Sequence, residues 1–321
     1  MRRTRCKCLP AAWLGFSAAS LLLAAPTQAA EYGFSDYLLG YSIPMAGYTP
    51  PPGVYFLNTF YLYSGSANVN AEFPIGKITA VGLTEHFAVN ITTTAWYTDM
   101  TILGGTLGFA ATIPFGSDTN TAAVSFVGPL GFGRQINRTD TATAIGDTAF
   151  SASLGWQQGE HHWNMTLTGV APTGEYNASS LAILGLNRPA VDFKGAYTFL
   201  SLETGIEATG ALGFTFNAMN TATDYQTGIE MHLEWELAEH LPFGLTAGVG
   251  GYLYQQLTGD SGSGAVLGPF IGRVVSVGPV LSYTFKSGEQ QVTLSARWFH
   301  EFATEHRVPG DSIFASLGFP L

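Results

Sequence analysis

The stretch 224–241, DYQTGIEMHLEWELAEHL, restricts the fold more than any other part of the chain. Ile229, Met231, Leu233, Trp235 and Leu237 occupy every second position, and Glu230, His232, Glu234 and Glu236 fill the gaps. Period two is the signature of a strand with one apolar and one polar face. A helix would scatter the same carboxylates around its cylinder. A strand that is greasy on one side and acidic on the other needs a dry neighbour and a wet one. A water-containing barrel in a bilayer supplies both. So does a soluble antiparallel sheet with its core on one side.

The start of the chain bears on this choice. Arg2, Arg3, Arg5 and Lys7 precede an apolar run from about 9 to 25, and small residues follow up to Ala30. Basic start, short apolar middle and small-residue exit describe a secretory signal peptide over 1–30. Both cysteines, Cys6 and Cys8, lie in this leader, so the exported chain has no disulfide to form. The leader also holds four of the 13 basic residues and no acid. The remainder carries 9 basic against 23 acidic side chains, a net charge of −14. That balance argues against a nucleic-acid partner, which needs basic patches. Only 11% of residues are charged while 13% are aromatic, against roughly 25% charged in ordinary soluble domains. After the leader no apolar run is long enough for a spanning helix. A charge-poor, aromatic-rich, exported chain without such helices fits a membrane β-barrel. A secreted β-sandwich is the alternative.

Residues 31–52 show no alternation and end in Tyr48-Thr49-Pro50-Pro51-Pro52, a stiff extended piece. The segment is expected either as a lumen plug or as a periplasmic tail. Twelve strands follow over 53–321, near 53–63, 78–96, 101–113, 145–158, 160–172, 188–198, 202–216, 224–237, 243–257, 272–285, 290–303 and 311–320. An even count leaves both chain ends on the periplasmic side. Short connections (98–100, 159, 200–201, 238–242, 286–289) alternate with long ones (64–77, 115–144, 173–187, 258–271). Short periplasmic turns and long outer loops explain this, and a sandwich has no reason to alternate. The stretch 115–144 has room for two more strands, so fourteen is the alternative count. Trp163, Trp235, Trp298 and Tyr225 are expected on the outward face near strand ends, as an interfacial aromatic girdle. On the strand around 292–298 the register is expected to slip before His300.

With polar faces inward, the wall carries Asp192, Lys194, Glu203, Glu207, Glu230, His232, Glu234, Glu236, Arg297 and Glu301. Glu203 and Glu207 would lie roughly 13 Å apart on one strand at 3.3 Å per residue. The carboxylates form either a cation-favouring, polar-group-binding constriction or a network that hydrogen-bonds across a narrow lumen. Twelve strands lie between eight, which side chains nearly fill, and sixteen, which leave an open channel. A narrow route for a small solute fits that size. Catalytic and metal patterns are weak. His161-His162 has no spaced ligand partners, and the loose Gly-x-Ser-x-Gly at 259–264 lacks a strand-to-helix turn. His300 is the one residue that a lipase on the rim would use. The chain is therefore read as a non-enzyme without cofactor or metal.

Several strings resemble a known family. They are GYTPPPGVY at 47–55, GDT at 146–148 with Gly155-Trp156, His162-Trp163-Asn164, APTG at 171–174, Asn187-Arg188, TDYQTG at 223–228 and YQQLTGDSG at 254–262. They look like the outer-membrane proteins grouped as "MetA-pathway of phenol degradation", which include SphA-like, sphingosine-responsive proteins. The resemblance implies a Gram-negative outer-membrane barrel tied to catabolism of aromatic or other hydrophobic compounds, helping them cross. A plugged barrel that binds a lipid such as sphingosine through its outer loops is the alternative. No catalytic residues carry over. The end, Gly318-Phe319-Pro320-Leu321, departs from the terminal Phe that many such barrels carry. The expected partners are outer-membrane lipids and a small hydrophobic solute, and oligomeric state is not legible.

Overall fold

Each of the twelve expected strands forms at its expected place in the computed structural model of the chain, which describes residues 31–67, 71–127 and 133–321. The leader expectation and both cysteines fall outside the described residues. The strands are β1 (Gly53–Ser66), β2 (Glu72–Ile75), β3 (Ile78–Ile102), β4 (Gly105–Val127), β5 (Gly133–Ile145), β6 (Thr148–Gln158), β7 (His161–Ala171), β8 (Ala190–Leu200), β9 (Ile206–Asn217), β10 (Glu230–His240), β11 (Leu245–Gln256), β12 (Arg273–Ser287), β13 (Gln290–Glu305) and β14 (Gly310–Pro320). Every described pairing is antiparallel, and β1 pairs with both β3 and β14, which closes the sheet on itself. Twelve strands make the barrel. β2 and β5 are extras that pair with the long-loop ends of β3 and β4.

Closure is what a bilayer demands, because an open edge would leave backbone donors and acceptors in hydrocarbon. The distribution of side chains is that of a barrel in lipid. Along β10 Glu230, His232, Glu234 and Glu236 are buried, while Leu233 and Leu237 are exposed. Leu212 and Leu253 flank Leu233 across the two ladders, on the same face. A sandwich would have placed these three between sheets.

Three sequence expectations need correction. The turn after β3 falls at Leu103-Gly104 rather than at 98–100. Both turn residues have positive φ, 52° and 78°, as a two-residue hairpin turn that matches strand twist requires. The polar triplet Thr98-Asp99-Met100 instead sits in an irregularity of the ladder between Tyr97 and Thr101. There the Thr98 hydroxyl donates to Leu107 O and accepts from Met100 N, replacing ladder partners. Second, the stretch 115–144 holds the continuation of β4 and one added strand, β5; the other extra, β2, lies in the connection before β3. Third, β13 does not slip before His300. Its register shifts after His300, where Phe302 is left without a partner between the pairs Val275–Ala303 and Ser276–Glu301. His300 stays exposed, with Nδ1 3.0 Å from Asp311 Oδ1.

The aromatic set is also partly revised. Trp298 is 46% exposed, and Trp163 stacks on Trp156 beside the 159–160 turn. Tyr225 is instead buried in an outer loop, where its hydroxyl donates to Asp260 at 2.5 Å.

Leu233→Arg puts a charge on the lipid face in mid-strand. It should lower the stability of the inserted barrel by about 2–4 kcal/mol, measured by urea titration in phospholipid vesicles. Unchanged stability would refute the outward assignment of Leu233.

Candidate functional site

Residues 31–52 run through the interior from the long-loop end to the short-turn end, where β1 begins. Glu31 starts at the long-loop end, where Asn220 Nδ2 and Thr223 Oγ1 donate to its carboxylate at 2.9 and 2.8 Å. Burial pushes this carboxyl above the usual carboxylate range, against those two hydrogen bonds and the charge of Arg188. Asp36 then pairs with Arg188 at 3.3 Å, both fully or nearly buried. The Tyr37 ring stacks on the His232 imidazole with centroids 3.4 Å apart. Lower down, Asn164 donates to Ala46 O, and Gly47 N donates to Thr198 Oγ1. Gly47 is a glycine for a steric reason: a Cβ there would run into the backbone of β8 at Thr198.

The segment has no ladder of its own, so its peptide groups need partners. The charged wall supplies them. Glu234 accepts from Gly40 N, Ser42 N and the Tyr37 hydroxyl at 3.0, 2.9 and 2.8 Å. Glu207 accepts from Met45 N at 3.0 Å and is also bound by His240 Nε2 at 2.7 Å. Glu230 accepts from the Ser35 and Tyr254 hydroxyls. Lys194 donates to the Ser42 hydroxyl at 2.5 Å. Arg297 donates to the carbonyls of Gly40, Tyr41 and Ile43. His232 Nε2 lies 2.8 Å from Asp192 Oδ2. The ring fits because its ladder partner on β9 is Gly213, where any Cβ would collide with the imidazole.

Nine of the ten residues singled out from sequence thus face the interior, eight of them buried and Lys194 half-buried. Glu301 sits toward the long-loop end and accepts from the Tyr63 and Tyr252 hydroxyls and Gly310 N. Glu236 faces inward with both carboxylate oxygens lacking a partner among the described residues. Glu203 departs from the expectation. It is exposed in the turn between β8 and β9, where alternation no longer applies. Alternation also passed over residues that matter. Asp36, Asp147, Arg188 and Arg307 lie in non-strand segments, where period two carries no signal. Among these, Asp147 accepts from Gly174 N and Leu186 N and holds the 172–189 loop inward.

The other side of the interior has a different character. A cavity of about 340 Å³ lies between the N-terminal segment and the inner faces of β3, β4, β6 and β7. Val89, Ile91, Pro114 and Val170 supply apolar surface there. The hydroxyls on this wall largely satisfy one another: Thr93 with Thr112 at 2.8 Å, Ser151 with Thr168 at 2.9 Å. Hydroxyls paired in this way ask little of a solute. The volume is within the range of small-molecule sites. Among the described residues no cluster with metal-ligand geometry occurs.

Comparison with known proteins agrees with this architecture. A family model described as "Putative MetA-pathway of phenol degradation" matches residues 73–317. The chain is similar in fold to the COG4313 outer membrane channel from Pseudomonas putida F1, at 17% identity and a TM-score of 0.66, over 86% of this chain and 98% of that one. A Pseudomonas aeruginosa FadL homologue aligns at 8% identity and a TM-score of 0.38, over 83% and 87% of the two chains. No curated protein matches.

Glu234→Ala should strip three donors of the N-terminal segment of their acceptor, at about 1–3 kcal/mol for each group left unmade. Hydrogen exchange at Gly40 and Ser42 should accelerate at least tenfold, with the barrel still resistant to unfolding in cold SDS. Unaltered exchange would show that the wall does not hold the segment.

Proposed function

The chain belongs to the putative MetA-pathway of phenol degradation family, and from that premise we propose that this outer-membrane channel barrel takes up small aromatic or other hydrophobic compounds through its lumen cavity. One observation carries the reading: much of the charged wall is spent on residues 31–52, and on the β3, β4, β6 and β7 side the space left free is bounded mainly by apolar and hydrogen-bonded hydroxyl groups, while a few charged side chains such as Glu85, Asp192 and Lys194 also line it. A hydrophilic solute or ion would have to break those contacts. An apolar solute only has to displace water from the opposite wall, with a gain of about 25 cal/mol per Å² of apolar surface buried.

In this reading residues 31–52 are a plug that narrows the route and sets its polarity. Of the ten wall residues, Lys194, Glu207, Glu230, His232, Glu234 and Arg297 act on the plug. His300, with Asp311 as its partner, lies outside the cavity and takes no part. Binding of a lipid by the outer loops alone is less well supported, because the 172–189 loop buries Leu181 and Ile183 in the interior.

Two outcomes are expected. Ile91→Trp, which fills the cavity, should cut whole-cell uptake of radiolabelled phenol or toluene at least fivefold without changing the amount of folded protein in the outer membrane. Equal uptake by the variant would overturn the route. Removing residues 34–46 should raise single-channel conductance severalfold, and an unchanged conductance would deny the plug role.

A further inference from the structure

At the long-loop end of the cavity one carboxylate stands apart. Glu85, on β3, is 3% exposed and lines the cavity. Its Oε1 is buried without a hydrogen-bond partner among the described residues. The other acids nearby have donors: Glu301 two tyrosine hydroxyls and a backbone N–H, and Asp118 Ile183 N and Asn120 Nδ2 on its Oδ2, with Oδ1 unpartnered among the described residues. Arg307 is the cation that acts on Glu85, but its guanidinium lies over the Tyr254 ring at 4.4 Å. Asp118 adds further negative charge on the neighbouring strand. A buried carboxylate without donors is costly, because nothing replaces the water it has lost. A ligand that brings its own donor removes that cost.

Aromatic side chains flank the same corner. Phe87 is two residues along β3 on the same face, and Phe34 of the N-terminal segment meets it edge-on with ring centroids 5.4 Å apart. The Tyr63 ring lies 6.3 Å from Phe87 on the other side. Phe34, Tyr63 and Phe87 all line the cavity with Glu85. Ring faces beside a carboxylate suit a donor head on an apolar body, and suit an ammonium most, because rings attract cations across their faces.

We infer that Glu85, with Phe34, Tyr63 and Phe87, forms a head-group subsite that selects, among small hydrophobic molecules, those bearing an N–H or O–H donor, with amines held more tightly than alcohols. The inference rests on the reading of the cavity as a solute site and narrows its substrate class. Carboxylated compounds of equal size are excluded, since like charges would face each other in a dry corner.

The test uses purified mature protein in lipid nanodiscs and four probes of similar shape: 2-phenylethylamine, 2-phenylethanol, propylbenzene and 3-phenylpropionate. Binding is read by displacement of a fluorescent apolar dye. The amine should bind about ten- to a hundredfold more tightly than propylbenzene, the alcohol between them, and the carboxylate most weakly. Glu85→Gln should reduce the amine's advantage at least tenfold and leave propylbenzene unchanged. Glu85→Leu should erase the ranking altogether, with heat-modifiable gel mobility reporting that both variants remain folded. If all four probes bind the wild type alike, or both variants keep its ranking, the subsite is overturned while the apolar cavity stands. If none of the four binds, both readings fall.

Discussion

The interior of this barrel depends on how the carboxylates and the guanidinium of its charged wall are satisfied. A lumen of twelve strands is too narrow for bulk water, so each ionised group must find fixed partners. Residues 31–52 have the opposite need: their peptide groups have no ladder to join. Glu234 takes two N–H groups and a tyrosine hydroxyl from the segment, and Arg297 gives hydrogen bonds to three of its carbonyls. Wall and segment thus act as each other's solvent. Neither would be tolerable alone, since a buried carboxylate or an orphan amide costs more than a made hydrogen bond returns. Their meeting fixes the segment to one side of the lumen.

That one-sidedness explains the distribution of chemistry around the barrel. β8, β9, β10 and β13 present charge inward, and the segment lies against them. Apart from Glu85 and Asp118 toward the long-loop end, β3, β4, β6 and β7 present mainly valine, isoleucine, proline and hydrogen-bonded hydroxyls, and the space lies against those. Had the charges been spread evenly, the segment would have had no preferred wall and the remaining space no apolar side. The division is written in the strands themselves. β10 is charged at four successive inward positions, while β6 and β7 carry serine and threonine at theirs.

The strands were legible because lipid enforces period two more strictly than a soluble core does: every outward residue must be apolar over the whole hydrocarbon depth. The order, the twelve-fold count and the inward face of β10 follow from that. Where a strand ends, the rule stops, and expectations drawn from it fail. Glu203 continues the alternation on paper but lies in a turn, and Tyr225 continues it into a loop that folds inward. The turn at Leu103-Gly104 was hidden because leucine seldom adopts positive φ. The depth of the site was illegible for a different reason. The partners Asp36 and Arg188 are separated by some 150 residues, neither lies in a strand, and only the closed barrel brings them within 3.3 Å. Glu85 and Glu236 lie in strands, but nothing in a sequence marks which carboxylates among many are left without donors.

The asymmetry also bears on the kind of traffic proposed for the lumen. A channel must bind a solute well enough to admit it and weakly enough to release it. A wall lined by unsatisfied charge fails the second condition for polar solutes, because each broken contact must be replaced at every step. A wall of apolar side chains and hydrogen-bonded hydroxyls offers an apolar ring few specific contacts to break. Selection must then come from discrete points where the wall is not uniform. The interior offers such a point where the aromatic corner meets the donor-less carboxylate on β3. Placing it at the long-loop end, before the smooth stretch, separates recognition from passage. On the proposed route a solute would be sorted by its head group on entry and would then move along a surface with fewer specific contacts.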